Sequence, residues 1–165
     1  MTKSPAEASD TPAVVDIDFE RGVPTRINGV AMSMVELIQS LETIAGVHGV
    51  GRIDMVENRT AGAKSREIYE APAAVVLHAA HRELQAFVTP RDLERLTSEL
   101  GVTYADLIYE GLWFTPTRQA IDALVRHVQE RVTGTIRVRL FKGECRVVGR
   151  QSPFGDIRAA RSETN

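Results

Sequence analysis

A carboxylate and a phenol, Glu57 and Tyr69, are the side chains best suited to hold a ligand in this 165-residue chain. They lie in a polar stretch over residues 46–70 that begins with closely spaced glycines. A glutamate accepts hydrogen bonds from N–H donors and a tyrosine hydroxyl donates or accepts, so the pair suits an amino or ureido group. Loops this rich in hydrogen-bonding groups usually hold ligands. The alternative is a surface strand carrying Glu57 and Arg59, with Tyr69 at the edge of the core.

A cationic triplet, Lys64, Ser65 and Arg66, lies between these two residues. Its charges and hydroxyl suit a carboxylate or phosphate group. We expect the triplet to form a loop that contacts the ligand, with a solvated turn as the alternative interpretation.

Other motifs give no site of their own. The glycines at 46, 49 and 51 are followed by no Gly-Lys-Ser/Thr, which excludes a Walker A loop. His78 and His81 have alanines between them instead of the pattern of a zinc helix, and Cys145 is the single cysteine. We therefore predict no metal site, no catalytic residue and no cofactor-binding residue within this chain.

Composition places the chain among ordinary globular proteins. It is 43% hydrophobic and 25% charged, with a net charge of −2, which gives no indication of nucleic acid as a partner. No window approaches the length of a membrane helix, and no signal peptide is recognisable. We expect a cytoplasmic protein that has neither a nucleic-acid nor a membrane partner.

Periodicity and turn residues predict an α+β fold, an antiparallel sheet packed with helices. We predict a flexible arm or linker over residues 1–12, one domain over 13–154 and a polar tail over 155–165. The predicted elements, in chain order, are a strand over 14–19, a hairpin turn at Asn28–Gly29, a helix from Ser33 to about Gly46, a strand over 53–58, a helix over 73–87, a helix capped by Thr89, a helix over 104–112, a helix from Thr115 and a hairpin turning at Lys142–Gly143.

The apolar residues of the second half are predicted to be buried. Leu93, Leu96 and Leu100 recur at helical spacing and indicate a buried helix face. Trp113 and Phe114, just before the last helix, are interpreted as its anchor in the core. The arginine-rich terminal hairpin is interpreted as a solvated face or a contact with another protein domain.

Read in order, a series of landmarks resembles the carboxy-terminal region of argininosuccinate synthase over about residues 4–154. The most distinctive landmark is the uninterrupted string from His48 to Arg59. The others are Phe19 to Pro24, Asn28–Gly29, Lys64–Ser65–Arg66, Tyr69–Glu70, Ala80–His81, Tyr109, Gly111 to Phe114, Val132–Thr133–Gly134, Gly149–Arg150 and Ser152–Pro153.

This resemblance implies an ATP-dependent ligase of arginine biosynthesis, in which citrulline is activated as an adenylate and aspartate displaces AMP. It implies that Glu57 and Tyr69 bind citrulline and that ATP, with magnesium, serves the complete enzyme. The family's Ser-Gly-Gly-Leu-Asp-Thr-Ser pyrophosphate loop belongs to its amino-terminal half and is absent from this sequence. The implied partners are therefore citrulline, a nucleotide-binding half in trans and further copies of the chain, and no turnover is expected from this chain alone.

Several residues depart from the family pattern near the candidate site. Glu67 replaces a glycine and adds a negative charge, while Ala71 and Ala73 replace a threonine and a glycine; Glu42 and Ala45 also differ. Three explanations follow from the resemblance: a fragment of a ligase, one subunit of a split ligase, or a catalytically inactive module for amino-acid binding or assembly.

Overall fold

The computed structural model describes residues 1–59 and 62–155, so the predicted polar tail lies outside the described residues except for Gly155. The elements are β1 (Ala13–Glu20), β2 (Val23–Ile27), β3 (Val30–Ala31), α1 (Met34–Val47), β4 (Arg52–Asn58), β5 (Lys64–Glu70), α2 (Pro72–Val88), α3 (Arg91–Tyr109), α4 (Pro116–Gln129), β6 (Gly134–Phe141) and β7 (Glu144–Gln151).

The main sheet has five strands in the order β3-β2-β1-β6-β7, and neighbouring strands are antiparallel. β1 lies at its centre because alternate residues, Val15, Ile17 and Phe19, are apolar and are at most 2% exposed. The acidic residues between them face the other side, where Asp16 forms a two-pronged ion pair with Arg137 at 2.7 Å. The predicted α+β class with an antiparallel sheet is confirmed.

Two tight turns form where the sequence predicts them. Asn28 and Gly29 have φ values of 51° and 77°, and Lys142 and Gly143 have 43° and 89°. Positive φ at both central residues matches the right-handed twist of a two-residue hairpin. The hairpins β2–β3 and β6–β7 follow from these turns.

Helices α1 and α2 cover one face of the main sheet and complete the core. Ser33 and Glu36 form the predicted capping box at the start of α1, which buries Leu37 and Leu41. α2 begins with Pro72 in its first turn and buries a stripe at helical spacing that includes Val76 and Leu84. Both helices agree with the predicted ones to within about two residues.

The predicted start of the next helix is wrong. Thr89 is the C-cap of α2, and Pro90 is the N-cap of α3 without a side-chain hydrogen bond. α3 then runs without interruption through Gly101 to Tyr109, where the sequence predicts two helices. Gly101 does not break the helix because its φ is not positive and it can remain helical at a modest cost.

The predicted burial of the α3 leucines and of Trp113 and Phe114 is also wrong. No described residue of α3 is buried, and Leu96 is 42% exposed. Trp113 and Phe114 are 44% and 86% exposed, and the Arg118 guanidinium lies 4.8 Å from the centre of the Trp113 ring. The helical spacing is correct, but α3 packs mainly against α4 and the last turn of α2, which cover its apolar side only in part: Leu93 and Leu100 are half-buried and Leu96 is exposed.

Residues 1–12 belong to none of the helices or strands, yet they contact the body of the domain. Lys3 donates its backbone N–H to the Gly46 carbonyl at 3.0 Å, and Ala8 is 5% exposed. His48 lies 3.2 Å from the Thr11 carbonyl and 2.7 Å from that of Ile44. The segment predicted as an arm therefore lies along the end of α1.

Within the described residues, no helix has the length and apolar character needed to cross a membrane.

Strands β4 and β5 form a separate two-stranded sheet, here called the ribbon, between α1 and α2. Its base is tightly packed: Ala71 donates to the Gly51 carbonyl at 2.8 Å, and Gly51 has a φ of 122°. A β-carbon at Gly51 would lie 2.6 Å from the backbone nitrogen of Pro72. This position therefore requires glycine both for its backbone angle and for space.

We predict that Gly51→Ala lowers the free energy of unfolding by more than about 1 kcal/mol, since it adds a collision with Pro72 to the strain of positive φ. Gly29→Ala is the control for strain alone, because Gly29 has a φ of 77° and open space around it. Gly101→Ala, in a helix, should instead stabilise by about 0.5–1 kcal/mol. Urea denaturation checks this order, and equal losses for Gly51→Ala and Gly29→Ala would contradict the collision.

Candidate ligand-binding face of the ribbon

The ribbon brings Glu57 and Tyr69 onto the same face. In the antiparallel register Ile53 pairs with Tyr69, Met55 with Glu67 and Glu57 with Ser65. Because alternate residues of a strand share a side, these six residues point the same way. With Arg59, which reaches back over Ser65, they form what we call the Glu57 face.

The phenol of Tyr69 donates a hydrogen bond to Glu57 Oε1 at 2.5 Å. Tyr69 is 43% exposed and the Glu57 side chain 28%, so both are open to a ligand. The remaining lone pairs of the Glu57 carboxylate can accept N–H groups. The sequence prediction that these two residues act together is thus supported by their contact, while ligand binding itself stays a prediction.

A second network lies beside this pair. Arg59 donates from Nη2 to Glu67 Oε1 at 2.6 Å and from Nε to Ser65 Oγ at 3.0 Å. The same Nη2 lies 4.0 Å from Glu57 Oε2. Arg59 therefore lies between the two carboxylates, and its hydrogen-bonded ion pair is with Glu67.

The predicted loop Lys64–Ser65–Arg66 is wrong as a structure, because these residues are the first three of β5. Strand alternation divides them: Ser65 lies on the Glu57 face, whereas Lys64 and Arg66 lie on the opposite one. Arg66 is held there by Asp54 in a two-pronged ion pair with distances of 2.8 and 2.5 Å. Of the triplet, Ser65 alone lies beside Glu57, and its contact with a ligand stays a prediction.

The local interactions fix the protonation of two groups. Hydrogen bonds from Ser65 and Arg59 lower the pKa of Glu67, so this carboxylate is charged at neutral pH. The hydrogen bond to Glu57, together with desolvation and both nearby carboxylates, raises the pKa of Tyr69. Tyr69 therefore keeps its proton at neutral pH and acts as a donor to Glu57.

The Glu57 face is an open surface. No described residue of β4 or β5 is buried. A cleft of about 700 Å³ lies elsewhere, lined by Arg21, His81 and Gln129 among others, with none of its lining residues from the ribbon. Small-molecule sites usually enclose most of their ligand, so the Glu57 face needs a second surface to cover a small molecule.

The remaining candidate residues have structural partners. His81 lies 2.7 Å from Gln129 Oε1, and Arg150 pairs with Glu83 on α2. Cys145 is partly buried, and desolvation raises the pKa of its thiol to about 11, which keeps it protonated. In the described part of the chain, no group of three or more histidine, cysteine, aspartate or glutamate side chains is placed to hold a metal ion.

Sequence reasoning missed β5 and, with it, the contact between Arg59 and Glu67. The signal that could have predicted β5 is the register of an antiparallel hairpin. Pairing Glu57 with Ser65 also pairs Met55 with Glu67 and Ile53 with Tyr69. Gly62, with a φ of 78°, marks the turn side of this hairpin. Four of the seven positions of β5 are charged, so the segment lacks the alternation of apolar and polar residues that predicts a strand.

Comparison with known proteins identifies the class to which this fold and ribbon belong. The family model "Arginosuccinate synthase C-terminal domain" matches residues 1–157. The chain therefore belongs to the argininosuccinate synthase family and corresponds to its carboxy-terminal domain.

Individual relatives agree with this assignment. The chain is 54% identical to the argininosuccinate synthase of Acaryochloris marina over 153 residues and 54% identical to that of Symbiobacterium thermophilum. It is 50% identical to the argininosuccinate synthase of Crocosphaera subtropica. In each case the match covers 93% of this chain and 38% of the relative's length.

We predict that Tyr69 ionises above the usual pKa of about 10 and that Glu57→Gln brings its pKa back down, because the neutral amide replaces a charged acceptor beside the phenol. Replacing the other two tyrosines, Tyr104 and Tyr109, with phenylalanine leaves Tyr69 as the reporter. Tyrosinate absorbance against pH gives the pKa, with circular dichroism to check folding. Asp54→Asn, on the opposite face, is the control, and an equal drop in both variants would contradict the Glu57 contact.

Proposed function

We propose that this chain supplies the citrulline-binding side of an ATP-dependent ligase that joins citrulline to aspartate, in arginine biosynthesis. Glu57 accepts hydrogen bonds from the amino or ureido end of citrulline, and Tyr69 hydrogen-bonds the same ligand. The observation that carries the proposal is the Tyr69–Glu57 hydrogen bond on an exposed face of a domain of this family. Ser65 is the nearest polar neighbour of Glu57 across the ribbon.

The nucleotide chemistry is assigned to a separate part of the enzyme. Activation of the ureido oxygen requires ATP, with magnesium, and the sequence of this chain has no pyrophosphate loop. The chain spans 38% of the length of the curated relatives it matches, as their carboxy-terminal domain. We therefore propose a nucleotide-binding half as partner, with this chain inactive in its absence.

The geometry of the ribbon supports a site that is completed by that partner. The Glu57 face is open, and a covering domain would exclude water and strengthen its hydrogen bonds.

A second candidate function is a catalytically inactive module for amino-acid binding or assembly. The Arg59–Glu67 ion pair favours it, because the pair occupies part of the face beside Glu57. The two functions differ in turnover: the module binds an amino acid without forming argininosuccinate when the nucleotide-binding half is added.

We predict that Glu57→Gln weakens citrulline binding about 10- to 100-fold, since it removes a charge-assisted acceptor. Calorimetry on the full chain measures this, alone and with the nucleotide-binding half of the Acaryochloris marina relative. Asp54→Asn is the matched control because it removes a carboxylate from the other face of the same ribbon. It should leave the affinity unchanged.

Turnover on adding the nucleotide-binding half would favour the ligase, and binding without turnover would favour the inactive module. A folded chain that binds no citrulline in either setting, or that binds it equally well as Glu57→Gln, would refute the citrulline site.

We also propose a homo-oligomer assembled through the partly covered apolar side of α3 and the segment that follows it. Its exposed apolar members are Leu96 and Ile108 on α3 and Leu112, Trp113 and Phe114 after it. Exposed apolar surface of this kind is typical of an interaction site.

The double variant Leu96→Glu, Phe114→Glu is predicted to be monomeric at concentrations where the parent chain self-associates, since each substitution puts a charge into the proposed contact. Sedimentation equilibrium measures the mass. Val30→Glu, at an exposed position on β3, is the control and should leave the mass unchanged. A monomeric parent chain would exclude the assembly.

A further inference from the structure

Arg59 lies beside the free oxygen of the Glu57 carboxylate. The Tyr69 hydroxyl donates to Glu57 Oε1, so Oε2 keeps its lone pairs for a ligand. Arg59 Nη2 lies 4.0 Å from this Oε2, which is too long for a hydrogen bond. An acceptor and a cationic donor are therefore neighbours on the Glu57 face, and neither uses the hydrogen-bonding capacity of the other.

The guanidinium of Arg59 keeps donors for a ligand. Among the described residues, Arg59 donates from Nε to Ser65 Oγ and from Nη2 to Glu67 Oε1. A guanidinium has further N–H groups on Nη1 and Nη2, and the Arg59 side chain is 51% exposed. Arg59 can thus bind a ligand oxygen, and a carboxylate matches its planar donors best.

The two neighbouring groups are complementary to the head of an α-amino acid. At neutral pH this head carries an ammonium group and a carboxylate on one carbon atom. The ammonium group donates to Glu57 Oε2 and supplies the positive charge that this carboxylate lacks at hydrogen-bond distance. The ligand carboxylate accepts from Arg59. The ureido end of citrulline also has a donor and an acceptor, but the charges favour the head because it alone is ionised.

Glu67 occupies Arg59 in the way that a ligand carboxylate would. Its Oε1 accepts from Arg59 Nη2 at 2.6 Å, whereas the same Nη2 lies 4.0 Å from Glu57. A ligand carboxylate that approaches Arg59 must therefore share the guanidinium with Glu67 or displace it.

We infer that Arg59 is a further substrate-binding residue, which binds the α-carboxylate of the amino acid whose ammonium group Glu57 binds, and that Glu67 competes with this carboxylate. The inference rests on the proposed function, because it takes Glu57 and Tyr69 as the citrulline site. It adds an orientation, in which the head of citrulline lies on the ribbon and the ureido end is left to the nucleotide-binding half that activates it.

Citrulline and N-carbamoylputrescine are suitable probes, because the second is citrulline without its carboxylate and keeps the ammonium and ureido groups. Calorimetry on the full chain, alone and with the nucleotide-binding half of the Acaryochloris marina relative, gives both dissociation constants. We expect citrulline to bind about tenfold more tightly than N-carbamoylputrescine. Arg59→Gln should lower this ratio about fivefold or more, and Glu67→Gln, which frees Arg59, should raise it about threefold.

Asp54→Asn removes a carboxylate from the opposite face and should leave the ratio unchanged, with circular dichroism to check the folding of each variant. Equal affinities of the parent chain for the two compounds, or an equal weakening of both by Arg59→Gln, would overturn the carboxylate contact. If binding still depends on Glu57, the proposed function stays intact. A ratio that Glu67→Gln does not raise would overturn the competition. Absence of Glu57-dependent binding for both compounds would overturn the proposed function and the inference together.

Discussion

The close approach of Gly51 to Pro72 is the constraint on which the candidate site depends. β4 and β5 have no buried residue of their own, so their position comes from the base, where Ala71 hydrogen-bonds the Gly51 carbonyl at 2.8 Å. There α1 ends and α2 begins, and both helices are fixed by the core beneath them. The orientation of Glu57 and Tyr69 is thus set by packing that neither residue contacts, as expected for a functional surface on a rigid scaffold.

The fold was largely predictable where local signals and burial agree. Alternation in β1, the capping box of Ser33 and Glu36, and the Asn28–Gly29 turn each specify an element that the core then confirms. Prediction failed where burial depends on surfaces distant in sequence. α3 has the apolar periodicity of a packed helix, but the described chain provides no surface over Leu96, so spacing alone could not give its exposure. Trp113 and Phe114 are exposed for the same reason.

The site was predictable in part. Residue chemistry and the family resemblance both selected Glu57 and Tyr69, and the structure brings them together. The sequence did not predict that Ser65 lies on one face of the ribbon and Lys64 and Arg66 on the other. This arrangement follows from the register of β5, whose residues are mostly polar and do not indicate which face is which. The same register places Glu67 beside Arg59, so a departure from the family pattern became interpretable as part of a charge network only in three dimensions.

The sheet order has a consequence for how the chain folds. β1, near the beginning, is completed by β6, and Asp16 and Arg137 are joined across 121 positions. Closing so long a loop delays folding, since its entropy is lost before the contacts form. During synthesis the apolar residues of β1 emerge early, and they stay exposed until β6, in the last quarter of the chain, has been made and pairs with β1. We therefore infer that the nascent domain, more than the finished one, is the form most exposed to aggregation and most in need of chaperones.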